Sequence, residues 1–245
     1  MPVKTIDQQC VLQLHRLREQ YKLTRNARLN FLRAALQELG VLIPTGLRKS
    51  LSALHVAMDS PPTEWPVALV KMYAHVLEEI EGLRKGMIAV EKALRSVTRR
   101  DRVVRDLQTI CGVGPLTATA LRAAVGDIAR SPSGRHFACW LGLTAREYSS
   151  GELRRMGRIS RRGDRHLRTL LVNGARSALM AANRFPTPGG RPLDALRVWA
   201  LRVQRRSGLN KATVALANKL ARVIWATWRH QRSFDGNWGQ RINAE

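Results

Sequence analysis

Apolar residues in the first hundred positions follow a helical spacing. Residues 5–39 contain no Pro or Gly and end at Gly40, which predicts one long helix. A shorter helix is expected at residues 49–58, before a Pro-rich segment at residues 59–66 that predicts a linker or tight corner. Apolar side chains then recur at alternating steps of four and three, the a/d pattern of a coiled coil: Leu69, Tyr73, Val76, Ile80, Leu83, Met87, Val90 and Leu94.

This coiled-coil seam fits two arrangements. It can pack against a second copy of the chain, or it can pack against the first helix, whose opposing face would be Leu29, Leu32, Leu36 and Leu39. The spacing is the same in both cases. The sequence therefore leaves an intrachain helical hairpin and a homo-oligomer through the coiled coil equally open.

Beyond residue 100 the apolar segments are shorter and glycines mark their ends. Residues 107–121 (LQTICGVGPLTATAL) place Gly112 and Gly114 before a helix of small residues that includes Thr117, which is the spacing of a helix-hairpin-helix element. Backbone N–H groups at the start of that second helix can bind a DNA phosphate without contacting bases. An ordinary helix–turn–helix corner that only packs is the alternative.

Together these patterns predict an all-α fold. We expect a long helical hairpin or coiled coil at residues 1–100, a helical domain with the helix-hairpin-helix at residues 101–232, and a mobile tail at residues 233–245. A short β-hairpin near residues 144–158 is the exception to the helical pattern. A Pro/Gly corner is expected at residues 185–192, followed by amphipathic helices.

Charge identifies the kind of partner. The chain has 42 Lys and Arg against 18 Asp and Glu, a net charge of +24. Residues 1–100 hold 16 basic and 9 acidic side chains and residues 101–245 hold 26 and 9, so the excess lies mainly in the second part. Such a surface is typical of a protein that binds nucleic acid, and DNA is the expected partner.

Other function classes lack their sequence signals. No apolar run approaches the roughly 18 residues of a membrane span, so we expect no membrane partner. Cys10, Cys111 and Cys139 are scattered, and His136 beside Cys139 has no second ligand pair nearby, so we expect neither a disulfide framework nor a metal site. No cofactor is expected in this chain. Scattered thiols are typical of the cytoplasm, where the protein would associate with the nucleoid.

The segment at residues 144–168 carries the strongest candidate chemistry. Ser149 and Ser150 lie on a turn with Gly151, after Arg146 and before a run of seven arginines: Arg154, Arg155, Arg158, Arg161, Arg162, Arg165 and Arg168. A hydroxyl nucleophile among guanidinium groups suits attack on a phosphodiester, because arginine forks hold phosphate oxygens and stabilise the charge of the transition state. The alternative is a solvated basic loop that binds DNA without catalysis. The residues themselves do not choose between the two serines.

Three segments together resemble the C-terminal domain of the DEDD-type insertion-sequence transposases of the bacterial IS110/IS116 family: GVGPLTATAL, FACWLGLTAREYSSG and GRISRRGDRHLRTLLVNGAR. The resemblance extends to PVKTIDQQ near the start and to the helix at residues 211–228. It implies DNA transposition by a serine that becomes covalently linked to DNA. In the family's YxSG pattern this serine precedes the glycine, which points to Ser150, with Tyr148 and Gly151 matching and Ser149 as the alternative.

The same resemblance implies further components. Family members have an N-terminal RuvC-like domain, whose three Asp and one Glu bind a divalent metal such as magnesium, and a structured guide RNA that pairs with both DNA partners. This sequence begins at what resembles the junction after those carboxylates. We therefore expect an incomplete form that binds DNA and RNA but does not cut or join DNA. The competing function is a non-catalytic nucleic-acid-binding or dimerisation remnant that regulates a full-length transposase.

Overall fold

A computed structural model describes residues 3–60, 65–185 and 193–236, and within these residues the fold is all-α with one small antiparallel β-hairpin. The predicted fold class is confirmed. The chain forms two compact units, residues 13–93 and residues 94–245 together with residues 1–12. Among the described helices, none combines the length and the apolar character needed to cross a bilayer.

Three helices supply the unit at residues 13–93: α1 (Ile6–Glu38), α2 (Leu47–Asp59) and α3 (Val67–Arg100). Helices α1 and α3 run antiparallel, because ion pairs join Arg18 to Glu91 and Arg28 to Glu79, each at 2.7 Å. The helices predicted at residues 5–39 and 49–58 are both present. Of the predicted linker at residues 59–66, residues 61–64 lie outside the described part of the chain.

The seam of α3 packs inside this hairpin. Ile80 and Met87 are buried, and so are three of the four leucines predicted for the opposing face, Leu29, Leu32 and Leu36. Gly86 lets the ring of Tyr21 lie directly on α3, since a Cβ at this position would be 2.8 Å from the ring. The intrachain hairpin is therefore the arrangement that this fold uses, and the coiled-coil homo-oligomer stays a prediction.

The other unit contains the remaining elements. They are α4 (Arg102–Gln108), α5 (Pro115–Val125), a 3₁₀ turn (Ile128–Arg130), α6 (Gly134–Trp140), β1 (Ala145–Glu147), β2 (Met156–Ile159), α7 (Arg165–Arg184), α8 (Ala195–Ser207) and α9 (Leu209–Arg229). Aspartates cap three of the helices, because the side chains of Asp101, Asp164 and Asp194 accept backbone N–H groups from the first turns of α4, α7 and α8.

Helix α9 lies at the centre of this unit's core. It packs against α4, α6, α7 and α8, and it buries Leu216, Leu220 and Ile224 completely or nearly so. Alanines on the same helix are also buried, which lets the neighbouring helices approach closely. This core supports the candidate functional elements of the unit.

Two predictions near the end of the chain fall largely outside the described residues. Residues 186–192 of the expected Pro/Gly corner and residues 237–245 of the expected mobile tail are among them. The first tail residues are held in place, because the Ser233 hydroxyl donates to Asp106 Oδ1 at 3.0 Å and the Phe234 N–H donates to Thr109 Oγ1 at 2.8 Å.

Candidate nucleic-acid interface

The two serines lie at the end of the β-hairpin formed by β1 and β2. Ala145 is paired with Ile159 and Glu147 with Met156, with an irregularity between the two pairs. The ladder continues beyond the strands, since the Tyr148 N–H donates to the Arg155 carbonyl at 2.8 Å. The short β-hairpin predicted near residues 144–158 is thus present, and its register decides which groups face the solvent.

Ser150 occupies the turn of this hairpin. Its backbone N–H donates to the Leu153 carbonyl at 3.2 Å, and the Leu153 N–H donates back at 3.1 Å, which closes a tight loop around Gly151 and Glu152. Gly151 has a φ of 56°, a left-handed conformation that favours glycine. The side chain of Ser150 is exposed, and among the described residues its hydroxyl has no hydrogen-bond partner. The hydroxyl is therefore accessible to a phosphate.

Ser149 differs from its neighbour because its hydroxyl is already engaged. It donates to Glu147 Oε1 at 2.7 Å and accepts the Arg155 N–H at 3.2 Å. The same Glu147 oxygen lies 3.8 Å from Arg154 Nε. These contacts tie the two sides of the hairpin together. The sequence did not separate the two serines, and their hydrogen bonding gives the first physical distinction between them.

Tyr148 packs across the hairpin onto Gly157. A Cβ at Gly157 would lie 2.5 Å from Cε2 of the tyrosine ring, so only glycine admits this contact without a shift. The ring remains 58% exposed. Its exposed part lines a hollow whose cations are Arg146, Arg155, Arg158 and Arg161. Four of the predicted binding arginines are therefore brought to one side of the hairpin.

The base of the hairpin is held by close backbone contacts. A Cβ at Gly142 would overlap the Arg162 carbonyl, and one at Gly163 would overlap the Trp140 carbonyl. Both glycines have positive φ values, 69° and 99°. The Arg168 guanidinium donates to the Leu141 carbonyl at 3.2 Å, so this arginine supports the loop while the exposed Arg162 and Arg165 face solvent.

The predicted helix-hairpin-helix segment forms two short helices, α4 and α5, joined by a glycine turn. Gly112 packs on Gly174 of α7 so closely that a Cβ on Gly112 would lie 2.8 Å from the Gly174 carbonyl oxygen. Gly114 is exposed and has open space around it. Thr117 as a whole is only 6% exposed, so the structure does not place it as an exposed contact for a ligand. Gly112 therefore acts in packing, and Gly114 borders the accessible helix start.

A second groove was not predicted. It lies between β2 and helices α8 and α9, and its cations are Arg158, Arg161, Lys211, Lys219 and Arg222. We call it the β2–α9 groove. Its lining contains no carboxylate, and none of the five cations forms an ion pair within the described residues. Lys211, Lys219 and Arg222 of α9 are eight and three residues apart, a spacing that places them on one face of a helix and can be read from the sequence. Their proximity to β2 cannot be read from the sequence.

Trp199 of α8 forms part of the wall of this groove. The Lys219 ammonium lies 4.1 Å from the centre of its ring, a cation–π contact. Burial lowers the pKa of Lys219, and the neighbouring Arg222 charge lowers it further. Both causes penalise the charged ammonium, and an anion in the groove would relieve the repulsion.

Three aspartates of this unit act in capping and ion pairing. Asp101 caps α4 and pairs with Arg122 at 2.8 Å, Asp127 accepts the Ala129 N–H, and Asp164 caps α7. In the part of the chain that the structure describes, no three His, Cys, Asp or Glu side chains are grouped as a metal site would require. The described residues therefore do not fit the divalent metal that the sequence resemblance implies for a complete enzyme.

Comparison with known proteins bears on this site. Residues 104–188 match the Transposase IS116/IS110/IS902 family. A Pseudomonas aeruginosa protein named "Probable family 20 transposase" is 34% identical over 228 residues, which are 92% of this chain and 65% of that protein. The transposase for insertion sequence element IS1111A of Coxiella burnetii is 31% identical over 231 residues, which are 94% of this chain and 62% of that protein.

A third relative, the transposase for insertion sequence element IS1328 of Yersinia enterocolitica, is 33% identical over 226 residues, 91% of this chain and 64% of that protein. The chain thus spans a little under two thirds of the length of these relatives. The residues that match the family include the α4–α5 turn, the serine hairpin and all of α7. These findings show that the chain is similar to transposases of insertion sequences, and that residues 104–188 resemble the IS116/IS110/IS902 family.

Proposed function

We propose that this chain is the DNA-binding, nucleophile-carrying part of an insertion-sequence transposase, and that Ser150 attacks a DNA phosphodiester. The observation that carries the proposal is the exposed Ser150 hydroxyl in the turn of a hairpin that also carries four arginines around one hollow, a hollow that Tyr148 lines and Ser150 does not. The similarity to insertion-sequence transposases supports the same function. The YxSG pattern of the family resemblance favours Ser150 over Ser149, whose hydroxyl is engaged by both Glu147 and the Arg155 N–H and so joins the two sides of the hairpin.

In the proposed step, a bond forms between Ser150 Oγ and the phosphorus of a DNA backbone. The ester bond from that phosphorus to one deoxyribose oxygen breaks, the departing oxygen takes up a proton, and the serine hydroxyl gives up its own. Arginine forks from residues 146–162 hold the non-bridging oxygens and stabilise the negative charge that develops on them. Attack by the hydroxyl of a second strand would release the serine and join the strands.

The partners follow from the same proposal. DNA is the substrate, the family resemblance adds a structured guide RNA, and the coiled-coil spacing of α3 adds a second copy of the chain. The excess of positive charge, +24 overall, is sufficient for two nucleic acids to share. The exposed start of α5 at Gly114 is proposed to contact a phosphate through its backbone N–H groups, in the manner of a helix-hairpin-helix element.

A chimera tests the nucleophile. This chain would replace the matching 228-residue stretch of the Pseudomonas aeruginosa relative, and labelled insertion-sequence ends would be supplied with Mg²⁺. We expect a covalent protein–DNA adduct on denaturing gels that Ser150→Ala lowers at least about a thousandfold, because the attacking atom is gone. Ser149→Ala is the matched control and should retain the adduct within about threefold. An adduct that survives Ser150→Ala would refute the assignment.

The 245-residue chain alone separates the two candidate functions. We expect it to bind the same DNA ends without forming an adduct, because Ser150 has no proton acceptor positioned beside it among the described side chains. An adduct from the chain alone would contradict this expectation and still identify Ser150 if Ser150→Ala removed it. Binding without adduct in both the chain and the chimera would favour the non-catalytic regulator.

A further inference from the structure

We propose that the β2–α9 groove binds an unpaired nucleic-acid strand, with its cations on the phosphates and its apolar wall against exposed bases. The inference rests on the proposed function and goes further, since it assigns a second binding surface beside the serine hairpin and names the form of the ligand. The side chains that line the groove support this inference.

Cations occupy this groove without compensating acids. Arg158 and Arg161 come from the hairpin, and Lys211, Lys219 and Arg222 come from α9, so two separate elements bring their positive charges to one hollow. Like charges held close together raise the free energy of the free protein unless counterions gather there. A phosphodiester backbone supplies an evenly spaced row of negative charges and releases those counterions on binding.

The wall between the cations is apolar. Leu143, Ile159, Trp199, Val214 and Ala215 line it. A duplex turns its phosphates outward and keeps its base faces stacked inside, so it would leave this wall empty. An unpaired strand exposes base faces that can lie against the aliphatic side chains and against the part of the Trp199 ring that Lys219 leaves open, while its phosphates contact the rim. The combination of basic rim and apolar wall therefore favours a single strand over a duplex.

Three exposed cations can be changed without disturbing the core. Arg158, Lys211 and Arg222 all lie on the surface and form no ion pair within the described residues. The test variant is the triple substitution Arg158→Gln, Lys211→Gln and Arg222→Gln. Its matched control replaces three exposed arginines of the same unit that do not line the groove, Arg99→Gln, Arg100→Gln and Arg105→Gln.

Fluorescence anisotropy would measure the affinity of the full chain for three labelled probes of equal length: oligothymidylate, oligouridylate and duplex DNA. We expect the groove variant to bind oligothymidylate about tenfold more weakly than the wild type, and the slope of log affinity against log salt to become shallower by about 2, as three lost contacts on a single strand require. The control triple and the duplex probe should each change less than about threefold. A larger loss on oligouridylate than on oligothymidylate would support the groove and assign the strand to RNA.

Equal losses for the groove and control triples would mean that only net charge matters, and would overturn the proposal. So would equal losses for duplex and single strand. Thermal melting checks that both triples fold, and the single variant Lys211→Gln, at an exposed position, should keep part of the effect, about twofold. The covalent adduct at Ser150 is read on denaturing gels, whereas the groove is read by anisotropy. Failure of the serine chemistry and failure of the groove are therefore read from different measurements.

Discussion

The α1–α3 hairpin and the β2–α9 groove use basic side chains in opposite ways. In the hairpin, Arg18, Arg28 and Arg84 each lie within 2.8 Å of a glutamate oxygen. In the other unit, the cations of the β2–α9 groove have no such partner among the described side chains. Paired guanidinium groups contribute to holding helices together. Unpaired ones are available to a polyanion, so the distribution of acids separates a structural region from a binding region.

The two regions also differ in how their glycines pack. Substitutions at these glycines have the largest expected effect, which is on the free energy of unfolding. In the α9 unit, a Cβ on Gly174 would overlap the Gly112 carbonyl, whereas Gly82 in α3 has open space around it. We expect Gly174→Ala to lower the free energy of unfolding by about 3 kcal/mol, because two backbones must separate. Gly82→Ala should raise it by up to about 1 kcal/mol through helix propensity. Chemical denaturation measures both.

A Gly174→Ala variant as stable as the wild type would show that α7 and the α4–α5 turn can move apart at little cost. The tight backbone contact would then not define the α9 unit. The Gly82→Ala variant serves as the control for the same chemical change on a long exposed helix surface.

Removing an ion pair of the hairpin should have a smaller effect on stability and no effect on nucleic-acid binding. A double-mutant cycle on Arg18 and Glu91, whose side chains are 18% and 30% exposed, should give a coupling energy of about 1 kcal/mol, at the upper end for partly exposed pairs. Affinity of Arg18→Ala for oligothymidylate should change less than about twofold, because this guanidinium is already neutralised. A loss as large as that of the groove triple would break the comparison between the two regions.

Lys219 has the smallest expected effect, which is on the pH dependence of nucleic-acid affinity. Burial holds the pKa of Lys219 below its ordinary value of 10.5, with Arg222 adding to the shift. A bound phosphate favours the charged ammonium, so affinity should fall as pH rises through this lowered pKa. We expect wild-type affinity for oligothymidylate to fall about twofold more than that of Lys219→Arg, whose guanidinium keeps its charge.

The folded state itself does not suffer from this deprotonation. A lysine whose folded-state pKa lies below its unfolded value favours folding more once it is neutral, so the loss of affinity cannot be assigned to Lys219 destabilising the fold. Identical pH profiles for the wild type and Lys219→Arg would show that Lys219 does not contact the nucleic acid.

Much of the fold was predictable because helical periodicity is a local property. The spacing of apolar residues predicted α1, α2 and α3, and Ser149-Ser150-Gly151 predicted a turn that the β-hairpin supplies. The choice between an intrachain hairpin and a coiled-coil dimer was not local. It depended on whether α1 offers ion-pair partners to α3 and whether α3 offers a site for the Tyr21 ring of α1. The Arg18–Glu91 pair and Gly86 supply them.

The sequence predicted which residues belong to the candidate site but not which of them lie close together. The sequence by itself determined that the chain is helical, strongly basic and equipped with a serine turn among arginines, because periodicity, charge and turn chemistry are written in neighbouring residues. Only the tertiary structure decided which serine hydroxyl is engaged and which five cations share a groove. The serine contacts are local and depend on the register of the β-hairpin. The groove joins residues more than fifty positions apart, such as Arg158 and Lys211, and only the position of β2 beside α9 in the fold brings them together.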